Sequence, residues 1–161
     1  MRKLFALLLV MAVLPLMADA PEWGTTYKQI ESTIKAPVFK SKEYVITKFG
    51  ASTKASAARN QKAINKAIAT CSRKGGGRVV VPAGEWKTGA ITLKSGVNLV
   101  VEKDAKLQFV FDTSLYPLVR TRWEGMDCYN YQPCIYGDSV TNVGITGEGT
   151  IDGGASKEAW W

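Results

Sequence analysis

The sequence predicts an all-β fold, a right-handed parallel β-helix whose first coils follow an N-terminal amphipathic capping helix. Three observations lead there. After residue 77, short β-branched runs alternate with turn residues and no helical period appears. The runs repeat: a shift of 20 maps Val79 onto Leu99 and Val81 onto Val101. A shift of 44 pairs Asn98 with Asn142, Leu99 with Val143, Val101 with Ile145 and Leu107 with Ile151. Alternate residues of each run are apolar (Val79 and Val81, Leu99 and Val101, Val143 and Ile145), so one face can stack inward. A coil of about 20 residues, with one insertion of about 24, accounts for both shifts, and periods of that length mark solenoids. Strand spacing alone also fits a Greek-key sandwich.

The elements follow in order. Met1-Arg2-Lys3, the apolar stretch from Leu4 to Met17 and the small residues Ala18-Asp19-Ala20 form a secretory signal over 1–20. The stretch is shorter than the roughly 20 residues a membrane span needs. Pro21 hinders cleavage after Ala20, and cleavage after Ala18 is the alternative. The implied location is secreted, periplasmic or extracellular. Residues 21–43 show no clean period and read as a linker or strap. The domain proper spans 44–161 as the N-terminal part of a β-helix, truncated on its C-terminal side.

Within it, 44–49 reads as a strand ended by Gly50. Residues 57–72 read as a helix: Ile64, Ala67, Ile68 and Cys71 share one face, and Lys62, Asn65 and Lys66 take the opposite one. Ser52 or Ser56 is placed to cap it, and Gly75-Gly76-Gly77 ends it. Placed before the first coil, the helix would cover that coil's open apolar end and unpaired edge, which would otherwise invite aggregation. Strands are expected at 78–81, 90–93, 97–101, 106–111, 134–136, 142–146 and 150–152, with an irregular stretch from 112 to 133.

The charge is +7, with 21 basic and 14 acidic residues and no histidine. A basic surface suits an anionic partner. The basic residues are dispersed along the chain, which disfavours a nucleic-acid groove. Of the three cysteines, Cys71 falls in the helix, while Cys128 and Cys134 lie close enough to close a short disulfide loop in an oxidising compartment; three buried free thiols are the alternative. With no histidine, a zinc site is not expected.

Several motifs together resemble a known family. They are Lys48-Phe49-Gly50-Ala51, the helix at 63–68, and Gly75-Gly76-Gly77-Arg78-Val79-Val80-Val81-Pro82-Ala83-Gly84. Further on stand Thr88-Gly89-Ala90-Ile91-Thr92-Leu93-Lys94-Ser95-Gly96, Trp123-Glu124-Gly125-Met126, Gly147-Glu148-Gly149-Thr150-Ile151-Asp152-Gly153 and Trp160-Trp161. In this order the chain resembles the N-terminal portion of glycoside hydrolase family 28, the polygalacturonases. The resemblance implies hydrolysis of α-linked galacturonate in pectin with inversion, an acidic polysaccharide partner, no cofactor, no stable membrane insertion and a monomer when intact. A rhamnogalacturonan-active member of the family and a non-catalytic β-helix adhesin are the alternatives.

Inversion requires one protonated carboxyl and one carboxylate about 6.5–9.5 Å apart. The family's Asn-Thr-Asp, Asp-Asp, Gly-His-Gly and Arg-Ile-Lys motifs are absent, so no catalytic residue is assigned in this chain. They are expected downstream of Trp161, and the fragment is expected to be inactive. Asp152 and Glu148 read as turn formers beside glycines. Substrate contact is assigned to the 112–133 insertion. Arg120 and Arg122 suit bidentate pairing with uronate carboxylates. Trp123 offers a flat face, and Glu124 completes the set, with Tyr129 and Tyr131 nearby. The competing reading has Trp123 and Tyr131 pinning the loop and the arginines pairing with Glu124 or Asp127.

Overall fold

The computed structural model describes residues 23–159, so the signal segment and Trp160-Trp161 lie outside the described residues. The chain divides into two units, Met1–Ala36 and Pro37–Trp161. In the first, the stretch read as a linker or strap carries a helix, α1 (Trp23–Thr33), none of whose residues is buried. Ser32 and Thr33 hydroxyls bond back to the carbonyls of Gln29 and Ile30 in its last turn.

The second unit stacks short parallel strands in three columns. β1 (Glu43–Val45), β2 (Gly77–Val81), β5 (Val97–Val101) and β10 (Gly144–Thr146) form the first, in the order β1-β2-β5-β10. β3 (Gly84–Thr88), β6 (Ala105–Phe109) and β11 (Thr150–Asp152) form the second. β4 (Ile91–Thr92) and β9 (Ile135–Tyr136) form the third. Every pairing among them is parallel. One coil therefore runs β2-β3-β4 and the next β5-β6-β9, with an insertion between β6 and β9. The class is mixed rather than all-β, because α1 and α2 (Ala57–Arg73) add substantial helix.

The 20-residue shift holds, since Val79 pairs with Leu99 and Val81 with Val101. The 44-residue shift holds for Leu107 with Ile151 and for Ile91 with Ile135. It fails in the first column, where Ile145 pairs with Leu99 and Gly144 with Asn98. Asn142 is drawn out of the strand into a left-handed turn (φ 51°), and its amide donates to the Val38 carbonyl at 2.9 Å. The slip is two residues, so side-chain parity is kept and Ile145 still lies in the inward column.

The inward side chains of all three columns form the core. Val79, Leu99, Leu107, Ile91 and Phe109 are essentially fully buried, and each buried aliphatic contributes about 1.5–3 kcal/mol relative to exposure. Cover thins toward the last coil, where Ile145 is 45% and Ile151 41% exposed.

Glycines set the coil spacing at the corners. Gly147 (φ 112°) lies so close to Val101 that a Cβ would collide with its carbonyl oxygen. The segment before β1 runs alongside the first column. The Arg78 amide donates to the Lys42 carbonyl at 2.9 Å, and the Phe39 ring packs against Gly144.

Helix α2 starts at Ser56, whose hydroxyl accepts from the Arg59 amide. Its apolar face buries Ile64, Ala67, Ile68 and Cys71 in the same core as the strands, as periodicity predicts. Asn65 does not join the solvent face. Its Nδ2 donates to the Ala90 carbonyl (3.1 Å) and its Oδ1 accepts from the Thr92 amide (2.9 Å). Buried Asn60 bridges the Ser52 amide and the Lys87 carbonyl, and Gln61 Nε2 reaches the carbonyls of Ala90 and Leu115. These amides meet backbone groups at the free edges of β3 and β4, which have no strand partner on that side.

The expected strand at 44–49 is strand only to Val45 and continues as a 3-10 turn, Ile46–Phe49, closed by Gly50 (φ 103°). The expected irregular stretch is ordered. After a 3-10 turn (Thr113–Leu115), β7 (Leu118–Trp123) and β8 (Met126–Tyr131) form an antiparallel hairpin.

Candidate functional site

The hairpin is set on the second coil by buried residues at its base. The Tyr116 hydroxyl donates to the Val110 carbonyl at 2.9 Å. The Gln132 amide nitrogen reaches the Ile91 carbonyl and the Thr92 hydroxyl, and its backbone N–H donates to the Pro117 carbonyl. Burial pushes the Tyr116 phenol well above its ordinary range, with the neighbouring Cys134 adding to the rise. Trp123 and Tyr131, considered as pins, are 64% and 52% exposed and do not serve as such.

Register divides the hairpin's side chains between two faces. Arg120 stands opposite Tyr129 and Arg122 opposite Asp127, so these four share one face. Trp123 pairs with Met126 and Thr121 with Cys128 on the other. The structure therefore brings Arg120 and Arg122 together but separates Trp123 from them. Glu124 (φ 47°) and Gly125 (φ 88°) are the two positive-φ residues of the connecting turn, the backbone a two-residue hairpin loop favours. Glu124 is a turn residue and forms no ion pair among the described residues.

The arginines pair with Asp127, as one sequence reading held. Arg120 Nη2 lies 2.6 Å from Asp127 Oδ2, and Arg122 Nε 3.9 Å from Oδ1. Arg122 also donates to the Gly125 carbonyl at 3.1 Å. All three side chains are more than half exposed, so these pairs contribute about 0–1 kcal/mol each and leave guanidinium donors for a ligand. An open cleft of about 500 Å³ lies beside them, lined by Arg120, Arg122, Asp127, Tyr136, Gly137 and Asp138. Sequence reasoning missed Tyr136 and Asp138. The Gly137-Asp138-Ser139 turn after an apolar pair was the available signal.

No disulfide forms: Cys128 and Cys134 are free thiols, as is buried Cys71. Cys128 lies within extended β8, whereas Cys134 sits against the core beside Tyr116, and burial raises its pKa. Among the described residues no group of His, Cys, Asp and Glu is placed to hold a metal ion. Likewise, no described helix is long and apolar enough to cross a membrane.

Asp152 is held structurally. Its Oδ1 accepts from the Gly154 amide at 2.8 Å and its Oδ2 lies 2.7 Å from Lys106 Nζ. Lys106 foremost, then the Gly154 amide, hold its carboxyl below the usual range, the wrong direction for a general acid.

No protein-family model matches the chain. A Vitis vinifera protein named as a probable polygalacturonase is 36% identical over 111 residues, covering 63% of this chain and 22% of the relative. The crystal structure of a hyperthermoactive exopolygalacturonase from Thermotoga maritima matches with a TM-score of 0.76 at 36% identity, covering 83% of this chain and 30% of that one. A family 28 exopolygalacturonase from Yersinia enterocolitica matches with a TM-score of 0.60 at 32% identity, covering 71% of this chain and 21% of that one. The chain thus spans less than a third of each of these relatives. Over the stretch they share, the chain is homologous to the polygalacturonases of glycoside hydrolase family 28.

Proposed function

We propose that this chain is the N-terminal portion of a secreted, monomeric β-helix hydrolase that cleaves α-linked galacturonate in pectin with inversion. The 161-residue chain itself binds the acidic polysaccharide and does not cut it. Helix α2 acts as the cap of a right-handed coil stack, with Asn60, Gln61 and Asn65 in place of a preceding coil. The observation that carries the binding role is the Arg120–Arg122 face over the cleft, on a hairpin whose base is tied to the coil through Gln132. A uronate carboxylate can replace Asp127 as the partner of either guanidinium, because planar forks match carboxylates bidentately.

Affinity electrophoresis tests this reading. Migration should be retarded in gels containing polygalacturonate and unaffected by a neutral glucan, and Arg122→Ala should lose most of the retardation. Reducing-end release from polygalacturonate should stay at the blank. Hydrolysis by the purified chain, or equal retardation by the neutral glycan, would refute it.

A further inference from the structure

The positive charge of the chain resides in one segment. Residues 44–84 hold eight basic residues and no Asp or Glu, a net +8. The remaining residues, with 13 basic and 14 acidic, sum to −1. Basic residues are spread along the whole sequence; what sets this segment apart is the lack of acidic ones. Helix α2 turns half of its cations to solvent, since Arg59, Lys62, Lys66 and Arg73 are all exposed. At 3.6 residues per turn and 1.5 Å rise, the four fall within about 60° of one another in a straight row about 21 Å long. The row lies opposite buried Ile64, Ala67, Ile68 and Cys71, so core packing fixes its outward direction. None of the four forms an ion pair among the described residues. Arg59 Nε donates to the Gly50 carbonyl at 3.2 Å, which orients the side chain and leaves its Nη groups for a ligand.

Local physics disfavours such a row. Like charges three and four apart repel, as in Arg59 with Lys62 and Lys62 with Lys66. A cation near the start of a helix also opposes the macrodipole, and the first turn of α2 has no acidic residue to offset it. Packing asks nothing of these positions, because α2 meets the core through its other face. A polyanion laid along the row would relieve both costs. We propose that the outer face of α2 is an exosite, separate from the hairpin cleft, that holds a stretch of acidic polysaccharide by its carboxylates. A narrow, straight row suits a linear polyanion. Its neighbours on the helix surface are Ala58, Ala69 and Thr70, so no large apolar side chain is there to enter a lipid surface. Lys62 and Lys66 meet carboxylates as point charges, while Arg59 and Arg73 carry planar forks that take them bidentately. The choice of a polyuronate over other polyanions rests on the function proposed above. A row of this length contacts several successive uronates and so favours polymers over dimers.

The test measures affinity of the full chain for polygalacturonate and for digalacturonate at fixed ionic strength. Lys62→Gln/Lys66→Gln/Arg73→Gln should lower polymer affinity about tenfold, at about two- to threefold per exposed charge, and leave the dimer unchanged. Lys87→Gln/Lys103→Gln/Lys157→Gln removes the same charge from exposed sites elsewhere. It should change polymer affinity less than about twofold, because distant surface charges are screened by salt. Circular dichroism checks folding of both variants; should the helix variant misfold, Lys66→Gln alone decides, with about a two- to threefold loss. Polymer affinity that is unchanged in the helix variant, or lowered equally by the control, overturns the exosite. Tighter binding of duplex DNA or phosphatidylglycerol vesicles than of polygalacturonate also overturns it. The hairpin reading is judged separately, by dimer binding in Arg122→Ala. Its loss there, with no effect of the helix variant on the polymer, removes the exosite alone. Its survival there, with polymer affinity lost in the helix variant, removes the hairpin site alone.

Discussion

Asn65 links the helix to the exposed edge of the first coil, and its truncation gives a number that can be worked from the structure. Asn65→Ala removes a donor to the Ala90 carbonyl and an acceptor for the Thr92 amide. Two hydrogen bonds at about 0.5–1.5 kcal/mol each give about 1–3 kcal/mol. The Ala90 carbonyl keeps Gln61 Nε2 at 3.0 Å, so the loss concentrates on the Thr92 N–H. Alanine's better helix propensity returns about 0.5 kcal/mol. The expected destabilisation is therefore about 0.5–2.5 kcal/mol, read as a lower urea midpoint at unchanged slope by circular dichroism. Lys66→Ala, one residue on and exposed, should stay within about 0.5 kcal/mol of wild type. Asn65→Asp should fall between, because it keeps the acceptor but turns a carboxylate toward the Ala90 carbonyl. If Asn65→Ala matched Lys66→Ala, water would be serving the strand edge as well as the helix does, and the edge-covering argument would be wrong.

Three further outcomes are expected. Gly147→Ala should destabilise by about 2 kcal/mol or more, since it strains a positive-φ site and drives a Cβ into the Val101 carbonyl; hydrogen exchange should rise in β10 and β11 before it rises in β2. The Asp152 carboxyl is depressed below its usual 3.8, so its stabilising contribution is present above that value and lost as pH falls through the depressed one. Asp152→Asn should accordingly flatten the acid limb of stability against pH, and an unchanged limb would show that other carboxylates govern it. Thiol titration of the native chain should label Cys128 readily and buried Cys71 only after unfolding, with no disulfide in the mass of the unlabelled protein.

Much of the fold was legible because one-coil periodicity is a strong signal. Val79 and Val81 align with Leu99 and Val101 by identity of pattern, and inward stacking follows from strand parity. The two-residue slip at Ile145 was hidden because parity is unchanged by it, and because Asn142 matched Asn98 in type while bonding elsewhere. The hairpin was read as irregular because it is exposed on both faces, so no apolar alternation marks it; only the Glu124-Gly125 turn betrays it. Asn65 looked like a solvent-facing residue because composition does not distinguish an amide that meets water from one that meets a strand edge. The arginine pair was chosen on chemistry and does share a face. Trp123, assigned for its flat face, is one residue on from Arg122, and strand alternation puts it on the opposite face.

The most direct test of the binding reading is hydrogen exchange with and without tetragalacturonate. Protection should appear in β7, β8 and residues 135–138, with α1 unchanged. Protection confined to other segments, or none at saturating ligand, would contradict a glycan site on the hairpin.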